Sequence, residues 1–104
     1  MIINGDNFNN QEKKLKRYIP EKRTYDMIIN HIKLCNSFEE LQYSPISTMY
    51  GFEALKYELS GYYSFRLSKK GGLIRLIVSK GKNYDELNLE YISMDHYEDF
   101  KRRI

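Results

Sequence analysis

Residues 50–78, YGFEALKYELSGYYSFRLSKKGGLIRLIV, predict a polar loop that runs into a β-hairpin. From Tyr63 onward apolar and polar residues alternate, which is the period of a half-buried strand. Residues 69–72, KKGG, form the turn, because glycine readily takes the positive φ values that tight hairpins need. The return strand runs from Leu73 to Ser79, so two antiparallel strands are expected at the centre of the fold.

Each strand of this hairpin carries one arginine. Arg66 alternates with serines on the polar side of the first strand, and Arg75 lies between Leu73 and Ile77 on the second. If the strand register brings both arginines to one face, they form a concave cationic surface with Glu53 on the loop that leads into it.

Length and composition limit the protein class. The chain has 104 residues, enough for one modest core, and we expect a single domain over residues 1–104. The net charge is only +3, but basic residues cluster near both ends. Such clusters favour a polyanionic partner, although a solvated helix face is the simpler explanation when they are taken alone.

The single cysteine and the N-terminal residues indicate the compartment. Cys35 has no partner for an internal disulfide and falls in a helical apolar stripe, which indicates a buried reduced thiol. The apolar run at residues 1–4 is too short for a signal peptide or a membrane span. We therefore expect a cytoplasmic protein with no membrane partner.

The N-terminal third predicts a short strand and a first helix. The strand is expected at residues 1–3, and the helix over 11–18, capped by Asn9 or Asn10 and ended by Pro20. Its buried side would consist of Leu15, Tyr18 and Ile19.

A second helix is expected from an N-cap at Thr24 to about Asn36. Its apolar residues recur at three- and four-residue spacing, which is typical of one core-facing stripe. They are Tyr25, Ile28, Ile29, Ile32 and Cys35. Ser37 and Glu40 form a capping box that predicts a short third helix, and residues 44–47, SPIS, predict a loop.

The C-terminal third predicts a last strand and a terminal helix. In the strand, near residues 87–94, Leu87, Leu89 and Tyr91 would share one face. The helix would cover residues 95–104 with Asp95 as its cap. This order of elements predicts an α+β fold with N-terminal helices packed on a small antiparallel sheet of three to four strands.

Several kinds of active site are excluded by residue type and spacing. One cysteine and two distant histidines do not make a zinc site, and we expect neither a metal nor a cofactor. Gly71-Gly72 lacks the Lys-Ser/Thr pair of a phosphate-binding loop. No Ser-His-Asp arrangement can be recognised, and His31, in mid-helix, is expected to be structural or solvated.

A metal-free set of polar residues remains. It comprises Glu53, Arg66, Arg75, His96 and Tyr97, which a small antiparallel sheet could bring together. Metal-free RNA cleavage needs a general base, a general acid, cations at the phosphorane and an aromatic ring that holds the nucleotide. The set has a candidate for each role. On residue types alone, a surface ion-pair network explains the same residues.

Four motifs in this order resemble the RelE/ParE superfamily of bacterial toxin–antitoxin toxins, and most closely its YoeB-like branch. The motifs are FEALK at 52–56, LSGYYSFRL at 59–67, IRLIV at 74–78 and His-Tyr at 96–97, about half of the chain. The resemblance implies a compact α+β toxin that cleaves mRNA on the ribosome and is neutralised by an antitoxin. It also implies attack by the 2′-hydroxyl, which leaves a 2′,3′-cyclic phosphate and a 5′-hydroxyl.

Carried over by position, the resemblance gives each residue of the set a role. Glu53 would be the general base, Arg75 the phosphate stabiliser and His96 the general acid, while Tyr97 would position or stack on the nucleotide and Arg66 would help to bind the scissile phosphate. Positive charge for RNA binding would come from Lys56, Lys69 and Lys70.

The chain departs from the family pattern at three places. Ala54 replaces a proline, Tyr63 replaces a bulkier aromatic, and residues 98–104 follow the His-Tyr pair, which in the family lies near the C-terminus. If these last residues form a helix over the site, His96 would be a helix cap rather than an acid. Glu53 could also form a structural ion pair with a neighbouring cation, Lys56 or Arg66.

Two further functions are compatible with the same sequence. One is a ParE-like toxin of the same fold that inhibits gyrase by binding and has no nuclease site. The other is a non-catalytic RNA-binding module, which the basic ends and ten tyrosines favour.

Overall fold

The computed structural model describes residues 1–104 and confirms the predicted α+β class. The five strands are β1 (Ile2–Asn4), β2 (Glu53–Ala54), β3 (Tyr62–Arg66), β4 (Arg75–Lys80) and β5 (Glu86–Ser93). The α-helices are α1 (Ile19–Leu34), α2 (Phe38–Tyr43), α3 (Pro45–Met49) and α4 (Glu98–Arg103). Two 3₁₀ helices cover Gln11–Leu15 and Tyr57–Leu59. None of the helices combines the length and apolarity that crossing a membrane requires.

The strands form one sheet in the order β1-β5-β4-β3-β2. The three central strands are antiparallel neighbours, as predicted, and the two-residue β2 extends the sheet beside β3. At the other edge β1 runs parallel to β5, so the sheet is mixed and larger than the sequence indicates.

The β3–β4 hairpin has the register that the sequence analysis required. Phe65 lies opposite Leu76, and Arg66 lies opposite Arg75. Directly opposed residues project to the same face of a sheet. The apolar pair therefore faces the helices, and the two arginines share the other face.

The apolar stripe of α1 packs on the first of these faces. Tyr25, Ile28, Ile32 and Cys35 are buried, as the three- and four-residue spacing predicts. They belong to a cluster of 16 buried residues that includes Phe65 and the apolar side of the sheet. Each fully buried isoleucine contributes about 1.5–3 kcal/mol relative to an exposed one. The cluster on the other side of the sheet has only 4 buried residues, so most of the buried apolar side chains lie on the α1 side.

Pro20 begins a helix, and the prediction that it ends one is wrong. It lies in the first turn of α1, where an amide hydrogen would have no helical partner, so its absence costs little. The predicted N-cap Thr24 lies inside α1, with its hydroxyl donating to the Pro20 carbonyl at 3.2 Å. The helix α1 begins at Ile19, five residues before the predicted N-cap. Tyr18 and Ile19 lie at this helix start and are 44% and 62% exposed, so the prediction that they are buried is wrong.

The helix predicted over residues 11–18 is a 3₁₀ helix that ends at Leu15. Its first flanking residue, Asn10, has positive φ and forms no side-chain cap. Of the predicted buried side, Leu15 alone is buried.

Serine caps define the next two helices. Ser37 Oγ accepts from the Glu40 amide at 3.0 Å, which confirms that half of the capping box. The Glu40 carboxylate accepts from the Asn36 amide at 2.7 Å, one residue earlier than expected. The predicted loop at 44–47 is instead the start of α3, because Ser44 Oγ accepts from the Ile46 amide at 3.2 Å and Pro45 occupies the first turn.

A bulge in β5 changes which side chains face the core. Val78 pairs with Leu89 and Ile77 pairs with Tyr91, so Glu90 is an extra residue on β5. The alternation shifts by one at this point. Tyr91 therefore lies on the opposite face from Leu89, and the prediction that they share a face is wrong.

Two side chains of the first 3₁₀ helix form hydrogen bonds with the backbone of β5 at a point that β1 does not reach. Gln11 Oε1 accepts from the Ile92 amide at 3.0 Å, and Lys14 Nζ donates to the Ile92 carbonyl at 2.9 Å. Gln11 is itself buried. Ile92 pairs with Leu76 of β4 on one side, and these bonds replace the strand partner that it lacks on the β1 side. They also attach the N-terminal segment to the sheet.

We predict that Gln11→Met destabilises the fold by about 1–3 kcal/mol, because the Ile92 amide is left buried without an acceptor. Methionine keeps nearly the same volume and removes only the acceptor. Urea unfolding measures the change, with Lys13→Ala, an exposed residue of the same 3₁₀ helix, as the control. Equal stability of the two variants would contradict this role of Gln11.

Candidate functional site

The sheet face turned away from α1 brings the predicted site residues together. Glu53 in β2 lies opposite Ser64 in β3, and Arg66 lies opposite Arg75. Tyr97, in the loop after β5, completes the group through its hydroxyl. Three elements that are distant in sequence therefore meet at one place on the sheet.

The Tyr97 hydroxyl is the centre of this site. It lies 2.8 Å from Ser64 Oγ and donates to Glu53 Oε1 at 3.3 Å. Burial raises the pKa of Tyr97, and the Glu53 charge adds to this, while the Ser64 hydrogen bond and the Arg75 charge act in the opposite direction. With its pKa raised, the hydroxyl keeps its proton at neutral pH and donates it to Glu53, which leaves Ser64 as the donor to Tyr97.

Glu53 is exposed and forms no ion pair. The structural salt bridge with Lys56 or Arg66 that the sequence left open is absent. The carboxylate is held by Tyr97 and faces solvent, so it is free to accept a proton from a bound molecule.

The two arginines carry positive charge on the same face without a carboxylate partner. Arg75 Nη1 donates to the carbonyls of Gly72 at 2.7 Å and Ile74 at 3.1 Å, which fixes the side chain on the hairpin turn. Neither Arg75 nor Arg66 takes part in an ion pair. Two guanidinium groups that start from opposed positions of neighbouring strands and have no carboxylate partner attract an anion and have donors left to bind it.

His96 and Tyr97 have left-handed backbone conformations, with φ of +57° and +78°. Each costs about 1–2 kcal/mol for a residue with a side chain, so the fold stabilises them by other contacts. The two rings lie 4.9 Å apart at 40°, and the His96 ring is exposed. The backbone conformation thus places the exposed His96 ring beside the Tyr97 ring, and this is the contact that links His96 to the site.

The C-terminal helix lies beside the site. Phe100 packs on the rings of Tyr62 at 5.0 Å and Tyr91 at 5.3 Å, on the same sheet face as the arginines. The helix begins at Glu98, directly after Tyr97, so the prediction that it starts at Asp95 with Asp95 as its cap residue is wrong. Asp95 Oδ1 still accepts from the Asp99 amide at 2.8 Å and supports the first turn. The His96 imidazole forms no hydrogen bond and does not cap the helix. The tail leaves His96 exposed.

The three predicted RNA-binding lysines are exposed, and none of them forms a hydrogen bond or an ion pair with Tyr97 or Glu53. Lys56 precedes the second 3₁₀ helix. Lys69 and Lys70, in the hairpin turn, line a cleft of about 500 Å³ together with Arg66 and Tyr50. The first turns of α1 line the same cleft, so the Arg66 side chain borders α1 as well as the sheet. A larger cleft of about 870 Å³ between α2 and the β4–β5 turn contains none of the predicted residues.

Sequence reasoning missed Ser64, Ser93 and Asp99, whose side chains support Tyr97 directly or through its backbone. The one sequence feature that pointed to Ser64 was strand alternation, which places it on the same face as Arg66. No three His, Cys, Asp or Glu side chains lie close enough together to bind a metal. The groups present are a carboxylate, two guanidiniums, an imidazole and hydroxyls.

Two solved toxin structures are similar to this chain. A YoeB/ParE toxin from Agrobacterium tumefaciens superposes with a TM-score of 0.60 and 14% identity, covering 90% of this chain and 98% of that one. A YoeB dimer from Staphylococcus aureus superposes with a TM-score of 0.59 and 17% identity, covering 89% of this chain and 94% of that one. No family model matches the sequence, and the comparison with curated proteins found no match. The resemblance to YoeB and ParE toxins is therefore confirmed as a likeness of fold over most of the chain.

We predict that Gly51→Ala disturbs Arg66. Gly51 has φ of +68°, and an added Cβ would lie 3.2 Å from both Cβ and Nη1 of Arg66. Gly61→Ala is the matched control, because Gly61 has φ of +94° but no neighbouring atom within 4 Å. Both variants should lose about 1–2 kcal/mol through the left-handed backbone. The Arg66 Nε–Hε resonance should shift in the first variant only, and a shift in both would contradict this contact.

Proposed function

We propose that this protein is the toxin of a type II toxin–antitoxin pair and cleaves mRNA on the ribosome without a metal. The observation that carries the proposal is the Tyr97 hydroxyl bonded to the exposed Glu53 carboxylate, with Arg75 and Arg66 on the same sheet face. The fold shared with YoeB and ParE toxins supports the toxin assignment.

Glu53 is the proposed general base. It takes the proton from the 2′-hydroxyl of the nucleotide as that oxygen attacks the adjacent phosphorus. The hydrogen bond from Tyr97, at 3.3 Å, holds one carboxylate oxygen and leaves the other for the substrate. Because Glu53 has no cationic partner in the free protein, no ion pair has to break before it acts.

Arg75 and Arg66 are proposed to bind the scissile phosphate and to stabilise the charge that develops on the phosphorane. Arg75 is the more rigid of the two, since its Nη1 is held by the Gly72 and Ile74 carbonyls. A donor fixed before the reaction costs no reorganisation when the charge develops.

His96 is the proposed general acid and Tyr97 the residue that orients the nucleotide. His96 gives a proton to the leaving 5′-oxygen as the phosphorus–oxygen bond breaks. The products are a 2′,3′-cyclic phosphate and a 5′-hydroxyl, so the proton that Glu53 receives balances the one that His96 loses. The adjacent His96 and Tyr97 rings also offer a surface on which a base can stack.

Lys56, Lys69 and Lys70 are proposed to bind RNA outside the reacting phosphate. The two lysines of the turn share the 500 Å³ cleft with Arg66. An RNA strand that leaves the scissile phosphate past Arg66 would meet their charges next. We further propose that this protein acts in the cytoplasm and that its partners there are the ribosome, mRNA and a cognate antitoxin.

A ParE-like toxin that inhibits gyrase by binding is the alternative, since one similar structure is described as a YoeB/ParE toxin. The variant Glu53→Gln separates the two, because it removes the base and keeps an oxygen for Tyr97. If the protein is a nuclease, expression of this variant should no longer arrest growth. If it acts by binding gyrase, the variant should still arrest growth.

A non-catalytic RNA-binding module would bind RNA with strong salt dependence and cut none of it.

We predict that the wild-type protein cuts mRNA at discrete positions in a reconstituted translation reaction, detected by primer extension. Arg75→Ala should reduce the rate about 10²–10³-fold, because a fixed donor to the phosphorane is lost. The matched control is Arg17→Ala, an exposed arginine far along the chain from the site. Intact message with wild-type protein, or equal cleavage by Arg75→Ala, would refute the proposed site.

A further inference from the structure

A connected group of hydrogen bonds around the Asp99 carboxylate holds the chain that follows β5. Its carboxylate accepts from Ser93 Oγ at 2.6 Å, from the Met94 amide at 2.8 Å and from the Phe100 amide at 2.9 Å. Ser93 Oγ in turn accepts from the Tyr97 amide at 2.7 Å. The last strand residue, the loop and the first turn of α4 therefore form one connected unit.

This set acts directly on the residue at the centre of the site. The Tyr97 amide is one of the groups it holds, and Tyr97 has the most positive φ among the non-glycine residues, +78°. With the backbone fixed there, the ring reaches Ser64 and Glu53. Ser93 is completely buried and lies opposite Arg75 in the sheet. The strand pairing therefore fixes the position from which the Ser93 hydroxyl binds the Tyr97 amide.

These contacts exceed what the start of a short helix needs. The Asp99 amide is satisfied by Asp95, which already supports the first turn. The Asp99 side chain points back to the strand, where it binds Ser93 and the Met94 amide. The hydrogen bonds and backbone contacts on the carboxylate hold the pKa of Asp99 below its ordinary value against the effect of burial, so the group is charged at neutral pH.

The rest of the tail anchors this unit to the sheet. Phe100 is buried with Leu59, Ile77 and Tyr91. Lys101 Nζ lies 3.4 Å from Glu58 Oε1, which ties α4 to the second 3₁₀ helix. Movement of α4 would therefore be transmitted through Asp99 and Ser93 to Tyr97.

We propose that Ser93 and Asp99 are positioning residues and that residues 98–104 are an intramolecular brace that holds His96 and Tyr97 in their working geometry. The proposal deepens the proposed nuclease function and rests on it for its effect on the reaction rate. The placement of Tyr97 by the brace is independent of which reaction follows.

The test compares Asp99→Asn with Glu98→Gln. Both changes remove one carboxylate from the first turn of α4, but Glu98 is exposed and contacts only Lys101, at 3.5 Å. The first measurement is the titration of the Tyr97 hydroxyl by ¹³C NMR, assigned with Tyr97→Phe. The second is the rate of mRNA cleavage at saturating and at limiting message, with the unfolding free energy as the check on folding.

We expect the Tyr97 titration to move toward its ordinary value near 10 in Asp99→Asn and to stay in place in Glu98→Gln. The groups around the hydroxyl are Ser64, Glu53 and Arg75, and all three are unchanged in both variants. We also expect kcat to fall about tenfold or more in Asp99→Asn while KM changes little, because RNA-binding cations are retained.

Unchanged Tyr97 titration and kcat in a folded Asp99→Asn protein would overturn the proposal. If Asp99→Asn does not fold, Ser93→Ala gives the same two outcomes, since it keeps both backbone amides on Asp99. A Tyr97 titration that moves in a protein whose wild type cuts no RNA would support the brace and refute the nuclease function. The Tyr97 titration thus tests the brace, and RNA cleavage by the wild type tests the nuclease function separately.

Discussion

The Tyr97 hydroxyl, bonded to both Ser64 and Glu53, is the interaction on which the candidate site depends. It joins residues that are 33 and 44 positions away in the chain. Ser64 is placed by β3, Glu53 by the two-residue β2, and Tyr97 by the turn after β5. Without the sheet register these groups would not meet. The helix-facing side of the same sheet supplies the stability that allows a strained, polar arrangement on the other side.

The local part of this structure could be predicted from the sequence. Alternation and the KKGG turn placed the hairpin, and the opposition of Arg66 and Arg75 follows from its short symmetric turn. The stripe of α1 and the Ser37 cap were also visible, because both depend on residues three or four apart. Residue types gave the members of the candidate set and the resemblance gave their expected roles, and the structure brings Glu53, Tyr97 and the arginine-bearing positions to one sheet face.

The rest depended on contacts between distant segments or on ambiguous local signals. A proline marks the start of a helix as readily as its end, and Pro20 and Pro45 both begin helices here. The parallel pairing of β1 and the bulge at Glu90 have no short-range pattern. Asp99 resembled an ordinary acidic residue in a first helical turn, and only the fold shows that its carboxylate reaches the preceding strand.

In the proposed mechanism, Glu53 activates the 2′-hydroxyl of the RNA itself. The most direct test is a message with one 2′-deoxynucleotide immediately 5′ of the cut, translated in a reconstituted system with the wild-type protein. The proposed mechanism predicts that the unmodified message is cut, with a 2′,3′-cyclic phosphate end, and that the modified message stays intact at that bond. Cleavage of the modified message at the same bond would require water as the nucleophile and would contradict the roles given to Glu53 and Tyr97.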